Sequence, residues 1–297
     1  MTPMSIAVTG ATGFTGEHLV RRLASEGHRV TALVRPSSRR ERIAPFVDRF
    51  AEADLCDARQ VEAALRGHDA LIHMASMGFE DAPSYVAAVE RSGIRRAVFT
   101  STTSILTRLP VRSKPVREAA ERAVERSSLD WTIIRPTMIY GTARDRNISR
   151  LLRFLKRYRC MVLPGGGVAA QQPVHVDDVA GAAVLALGNG ASVRKTYNLS
   201  GLRPLTFRAL VETAARAVSI RPMLLTVPVN GLAAALGALE SLRIPMRLRS
   251  EQVLRIAEDK AFDHSDAIRD FGFRTRSFEE GVFEEARMLG LGPGAGG

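Results

Sequence analysis

The chain has 297 residues, 45% hydrophobic and 25% charged, enough for a globular core with one large domain and a smaller lobe. No apolar run reaches the roughly 18 residues that span a bilayer, and Met1-Thr2-Pro3-Met4 runs straight into the first strand, so neither a transmembrane segment nor a signal peptide is expected. Lys+Arg number 42 against 31 Asp+Glu, and the resulting +11 points toward anions: nucleic acid, an anionic membrane face or phosphorylated ligands.

The basic residues are spread without a recognition helix or an aromatic-interleaved RNA motif, so nucleic acid is not an expected partner. Cys56 and Cys160 form no C-x-x-C pair, and His18, His28, His68, His73 and His264 show no metal-ligand spacing. No metal is expected, and a reducing cytoplasm is the simplest compartment.

In chain order, the apolar run Ser5–Thr9 predicts a strand. Thr9-Gly10-Ala11-Thr12-Gly13-Phe14-Thr15-Gly16 follows as a glycine turn opening a helix over Gly13–Glu26, with Leu19, Val20, Leu23 and Ala24 on one face. A strand, a glycine turn and a helix are the context of a dinucleotide site. Gly10 permits the tight turn, Gly13 lets backbone N–H groups approach a pyrophosphate, and Gly16 lets the helix pack on the strand with its positive end toward the phosphates. Strands are predicted at Arg29–Val34, Ala70–His73, Ala97–Thr100 and Thr132–Arg135, and helices at Ala58–Leu65, Ser84–Ser92 and Pro115–Ser127. Asp57 is the expected N-cap with Gln60 at N3, and Gly27, Gly67 and Gly93 sit at helix ends. This alternation implies a doubly wound parallel sheet, an α/β Rossmann fold, with ligands at the carboxyl ends of the strands. Ala75, Ser76, Thr100 and Pro136 lie at those ends.

After Pro136 come a basic helix from Arg146 to Tyr158, a flexible turn at Pro164–Gly167, and a short strand at Val174 leading into a helix over Val179–Leu187. A strand at Thr196–Leu199 and helices at Phe207–Val218 (capped by Thr206), Glu251–Glu258 and Phe278–Leu289 complete a mainly helical end. The expected division is a dinucleotide domain over 1–140 and 171–200, a substrate lobe over 141–170 and 201–289, and a disordered tail over 290–297.

The glycine spacing, Ile134-Arg135-Pro136-Thr137-Met138-Ile139-Tyr140-Gly141, Val174-His175-Val176-Asp177-Asp178-Val179 and Asp54-Leu55 occur in an order that resembles the extended and atypical short-chain dehydrogenase/reductases, the epimerase/dehydratase-like family. The resemblance implies that Asp54 and Leu55 contact adenine, that the C-terminal helices form a lid over the substrate, and that a Ser/Thr after the fifth strand acts with a Tyr-x-x-x-Lys pair. Thr102 best matches the Ser/Thr. The tyrosine is missing: one alignment puts Ser113 and Arg117 at the Tyr and Lys positions, and another keeps Lys114 but sets Pro110 in place of Tyr. Thr102, Ser113, Lys114, Arg117 and His175 are therefore the candidates around the chemistry, with His175 and Tyr140 read as structural contacts. Where sugar-nucleotide members often carry an arginine, this chain has Gln171-Gln172-Pro173.

An NAD-preferring site places a carboxylate at the end of the second strand. Here that position is Val34, followed by Arg35, and no acid comes before Glu41. A guanidinium suits a 2′-phosphate, so NADP(H) is the expected cofactor and NAD(H) the second choice.

The first functional reading is an NAD(P)-dependent oxidoreductase or epimerase acting on a hydroxyl or carbonyl of a small or nucleotide-linked substrate. The second is a non-catalytic sensor or assembly protein that keeps the fold. A third role, peripheral membrane contact, rests on Arg146, Arg150, Arg153 and Arg157 at helical spacing and on the apolar segment Val229–Leu239.

Overall fold

The computed structural model describes residues 2–78, 81–241 and 250–292. Its elements run β1 (Ser5–Thr9), α1 (Phe14–Ser25), β2 (Arg29–Val34), β3 (Arg49–Glu52), α2 (Ala58–Leu65), β4 (Ala70–His73), α3 (Ala82–Arg91), β5 (Arg96–Thr100), α4 (Lys114–Glu125) and β6 (Asp130–Pro136). There follow β7 (Ile139–Tyr140), α5 (Ile148–Tyr158), β8 (Cys160–Pro164), β9 (Ala170–Gln171), β10 (Val174–His175), α6 (Val176–Leu187) and β11 (Lys195–Leu199). Last come β12 (Leu205–Thr206), α7 (Phe207–Ala217), β13 (Met223–Val227), α8 (Val229–Ser241), α9 (Ser250–Ile256), α10 (Ser265–Phe271) and α11 (Phe278–Met288).

Two compact units divide the chain: Met1–Thr137 with Val176–Leu199 and Asp263–Arg274, and Met138–His175 with Ser200–Phe262 and Thr275–Gly297. The expected boundaries differ in three places. Residues 138–140 and 171–175 pair with each other as β7 and β10 and so belong to the second unit. Residues 263–274 return to the first, because the Asp270 carboxylate accepts from Lys195 Nζ at 2.8 Å and Tyr197 Oη at 2.7 Å, while Phe271 packs edge-on to Tyr197. Those two donors hold the Asp270 carboxyl down at about 2.

The first unit carries a seven-stranded parallel sheet in the order β11-β6-β5-β4-β1-β2-β3. Ile6, Ala7 and Val8 are fully buried, as strands covered by helices require. Helices α2, α3 and α4 pack side by side on one cluster that includes Val61, Leu65, Val86, Val89 and Val124, whereas α1 and α6 pack on one another. The strand order reverses between β1 and β4, which opens a crevice at their carboxyl ends. Asp57 caps α2, accepting from Arg59 N at 2.9 Å and Gln60 N at 3.2 Å. β3 was not expected: Arg-Phe-Ala-Glu carries no apolar run, and this edge strand is held by backbone pairing to β2. α6 starts at Val176, three residues early, with Asp177 and Asp178 in its first turn, where the helix dipole favours acids.

In the second unit α5, α7 and α11 enclose a core of Tyr140, Ile148, Leu152, Leu155, Leu163, Leu210 and Val282. It holds more strand than expected, in the two-stranded pairs β7–β10, β9–β12 and β8–β13. Pro164–Gly167 is a short 3-10 turn with all three glycines at positive φ. Gly290 at φ 65° closes α11, with Leu291 N donating to Ala286 O at 2.9 Å, so the tail expected to be disordered begins as a helix cap, and its part from 293 lies outside the described residues.

Glu285 on α11 is fully buried beside Asp145, whose Oδ1 accepts from Asn147 N and Ser149 N at the start of α5. Burial first, and then the Asp145 carboxyl, push Glu285 up to about 10 from its ordinary 4.5. The unfolded carboxyl ionises above 4.5 while the folded one keeps its proton, so this group's contribution is full below 4.5 and is lost as pH rises toward 10. Glu285→Gln is expected to raise the thermal midpoint at about pH 8 by about 2–4 °C and to flatten its decline with pH. A variant whose midpoint follows pH as steeply as the parent's would refute the assignment.

Candidate functional site

The turn between β1 and α1 is built by backbone meeting backbone. Gly10 sits at φ 66°, and a Cβ there would lie 2.6 Å from Ala75 N and 2.8 Å from Met74 C, at the end of β4. A Cβ on Gly16 would lie 2.0 Å from Gly10 O, so Gly16 is needed for contact with the turn itself and not with the strand body. Gly13 donates to Gly10 O at 2.9 Å and is the N-cap of α1 without a side-chain cap. The first-turn N–H groups of α1, flanked by Thr12, Phe14 and Thr15, are thus left for a ligand, and an anion fits them by charge and by shape.

Beyond β2, Arg35 is exposed at the head of a tight turn in which Ser38 N donates to Arg35 O at 2.9 Å. Arg40 is bound to Glu52 and lies over the Phe50 ring, so its charge is already matched. Arg35 has no ion-pair partner among the described residues. After β3, Asp54 Oδ1 accepts from Cys56 N at 3.0 Å, and Leu55 packs half-buried on the core.

On the other side of the crevice, Ala75 and Ser76 leave the end of β4. Thr100 Oγ1 at the end of β5 donates to Met74 Sδ at 3.1 Å, and the Pro136 carbonyl at the end of β6 accepts from Thr103 Oγ1 at 3.3 Å. Thr102 Oγ1 accepts from Ser104 N at 3.2 Å and caps a short 3-10 turn over Thr103–Leu106. The neighbouring Ser101 hydroxyl is buried without a hydrogen-bond partner among the described residues. Sequence reasoning passed over Ser101, because a run of five hydroxyl residues gives no signal for which one faces inward.

Ser113 and Arg117 come together. They line a cleft of about 290 Å³ with Met77, Gly78, Arg112 and Val116. Arg117 Nη1 donates to Ser104 Oγ at 2.7 Å, which ties α4 to the segment after β5. Lys114 does not join them: its Nζ is turned away to donate to Thr107 O at 2.8 Å. Thr102 is likewise absent from the cleft wall.

The Arg135-Pro136 pair acts within the fold. Arg135 makes a two-pronged contact with the buried carboxylate of Glu121, with Nε 2.9 Å from Oε1, and so joins β6 to α4. In the second unit Tyr140 and His175 are buried edge-to-face at 5.4 Å, and a Cβ on Gly141 would lie 2.2 Å from His175 Nε2, so both side chains are packed into place. Gln171 Nε2 donates to Ile256 O and Glu258 O, and Gln172 bridges Gly201 O and Phe262 N, which makes these glutamines backbone ties. Among the described residues no group of three or more His, Cys, Asp or Glu is arranged to hold a metal ion, and no helix is long and apolar enough to cross a membrane.

A glycine-built phosphate turn at the switch point of a parallel sheet defines a dinucleotide-binding α/β protein. Residues 10–189 match the NAD(P)H-binding family model, and the chain belongs to that family. It is 30% identical over 285 residues to the NADH dehydrogenase [ubiquinone] 1 alpha subcomplex subunit 9, mitochondrial, of Arabidopsis thaliana, covering 89% of this chain and 70% of that one. It is 30% identical over 325 residues to the 2-alkyl-3-oxoalkanoate reductase of Stenotrophomonas maltophilia, covering 94% and 97%. The fold is similar to that of UDP-glucose 4-epimerase from Thermotoga maritima, with a TM-score of 0.73, 19% identity and coverage of 96% and 98%.

Gly10→Ala is expected to force the turn off the end of β4, with a loss of about 2 kcal/mol or more of stability and at least tenfold weaker NADPH binding, read by fluorescence titration. Unchanged affinity would show that this turn does not hold the phosphates.

Proposed function

We propose that the chain is an NADP(H)-preferring reductase that converts a ketone to an alcohol in a small substrate carrying an anionic group. The observation that supports this most directly is the cleft in which Arg112, Ser113 and Arg117 stand beside Met77 and Val116. Two guanidiniums against an apolar wall suit a carboxylate or phosphate attached to a hydrocarbon body. The similarity to a reductase of 2-alkyl-3-oxoalkanoates supports an oxo acid over a sugar nucleotide.

The bound nicotinamide supplies the hydride. The chain's own residues orient the carbonyl and manage its charge. Gly10, Thr12, Gly13, Phe14, Thr15 and Gly16 hold the pyrophosphate, Arg35 the 2′-phosphate, Asp54 and Leu55 the adenine, and Ala75, Ser76, Thr100 and Pro136 the nicotinamide end. Arg117 stabilises the negative charge that develops on the carbonyl oxygen, a role a guanidinium fills without giving up a proton. Ser113, which is exposed, relays a proton from solvent to that oxygen, while Thr102 orients the substrate. Lys114, tied to Thr107 O, supports the loop. The free thiols Cys56 and Cys160 suit a reducing compartment, with the cytoplasm expected.

A non-catalytic assembly role is the second reading, supported by the similarity to a respiratory-complex subunit and by the absence of a strong acid at Ser113. A panel of 3-oxo acids with NADPH, followed by loss of nicotinamide absorbance, separates the two. Turnover that falls about 100-fold in Arg117→Ala, with NADPH affinity retained, supports the reductase. NADPH binding with no turnover of any ketone would leave the assembly role. Arg35→Ala is expected to weaken NADPH about 10–100-fold and NADH little, since only the former loses a charge-assisted contact. Equal losses would remove Arg35 from the 2′-phosphate.

A further inference from the structure

One surface of the second unit has no part in the cofactor or substrate reading. On α5 the inner stripe is Ile148, Leu152 and Leu155, all buried. The outer stripe is Arg150, Arg153, Phe154, Arg157 and Tyr158, at the spacing of one helical face, and all five are exposed. From Arg144 to Arg159 the chain carries seven Lys or Arg and one carboxylate, Asp145, which is buried. Phe154 and Tyr158 are 41% and 49% exposed, yet their rings meet tilted with centroids 4.8 Å apart, and the Arg157 guanidinium lies 5.5 Å from the Tyr158 ring.

The helix ends at Arg159 in the left-handed conformation and turns at once into β8. Met223 N donates to Arg159 O at 2.9 Å, so the β8–β13 ribbon begins where the basic helix stops. Both faces of this ribbon are apolar. Met161, Leu163 and Leu224 point into the core that α5 also covers. The opposite face pairs Cys160 with Met223 and Val162 with Leu225, and Met223 is 61% and Leu225 43% exposed. β13 then runs into α8, in which Glu240 is the one charged residue, and no carboxylate occurs between Glu212 and Glu240.

We propose that the outer faces of α5 and the β8–β13 ribbon form a docking surface for an anionic lipid bilayer, with the arginines at the headgroups and Phe154, Tyr158, Met223 and Leu225 at the acyl boundary. Aromatic and aliphatic side chains set beside Arg150 and Arg157, which make no ion pair among the described residues, have the composition of an interfacial membrane-binding face. A second copy of the chain does not fit, because a two-fold contact would set these cations against their own images. Nucleic acid would match the charge but leaves the outward ribbon face without a partner. The surface is independent of the catalytic reading, since a binding subunit would carry it equally.

The test is co-sedimentation of the full chain with phosphatidylcholine vesicles, pure or containing about one third phosphatidylserine, across a salt series. Binding is expected only with phosphatidylserine and is expected to fall as salt rises. Arg150→Gln with Arg157→Gln should weaken it about 30-fold. Met223→Ser with Leu225→Ser should weaken it about tenfold at each salt concentration, with NADPH affinity unchanged as the check on folding. Equal sedimentation with both vesicle types would overturn the proposal, as would indifference to the Met223 and Leu225 changes. So would a salt-dependent complex with poly-glutamate as tight as that with vesicles, or a dimer that these changes dissociate in place of vesicle binding.

Discussion

The structure depends on one steric condition, that three backbone segments meet at the end of β1 with no side chain between them. Gly10 lies against the Met74–Ala75 peptide, and Gly16 lies against the Gly10 carbonyl. This fixes where α1 begins relative to the two central strands, at the point where the sheet reverses direction. It also leaves the first turn of α1 without a protein cap, since a capping side chain at Gly13 would need a Cβ only 3.0 Å from Gly10 O. The same restriction that forms the turn therefore leaves first-turn N–H groups of a kind that suits an anion.

From that turn the order passes outward through charged ties. Arg135 and Glu121 join β6 to α4, and Arg117 joins α4 to Ser104, so the cleft at the start of α4 takes its shape from the sheet edge. At the start of the neighbouring strand β5, Arg96 donates to the carbonyls of Ala186 and Leu187 at the end of α6, and to Asp130 O, Thr132 Oγ1 and Ser192 Oγ. Burial pulls this guanidinium down to about 10, still charged at neutral pH and well placed against the negative end of a helix. Removing one partner from such a buried network costs far more than the network adds to net stability, which makes these arginines determinants of geometry.

Much of this was legible in the sequence where one physical rule dominates. Buried parallel strands read as apolar runs, and β1 and β2 lie on the residues that such runs predict. Glycine ends and the Asp57 cap are local signals, and they hold locally. The failures share a different cause. β3 has no apolar run because an edge strand needs only backbone partners, and β8 and β13 have no alternation because both faces are apolar. The return of 263–274 to the first unit rests on Asp270 reaching Lys195 and Tyr197, a long-range ion pair that no periodicity announces. At the site, spacing brought Ser113 and Arg117 together but could not show that the Lys114 ammonium turns back to its own loop.

Composition gave a charge of +11 without saying where it acts, and the contacts divide it. Arg40, Arg96 and Arg135 are engaged by carboxylates, carbonyls or hydroxyls, so they add rigidity and offer little field to a partner. Arg35 on the first unit, and Arg150 and Arg157 on the second, are exposed without a carboxylate partner among the described residues. An exposed cation that makes no ion pair contributes little to stability but costs nothing to redirect toward an anion that arrives. The two sets lie in different units, a single guanidinium after β2 and a row of them on α5 beside an apolar ribbon. A lone guanidinium suits a small anion at one point, whereas a row of them beside an apolar surface suits a partner that is itself extended, anionic and apolar beneath its charge.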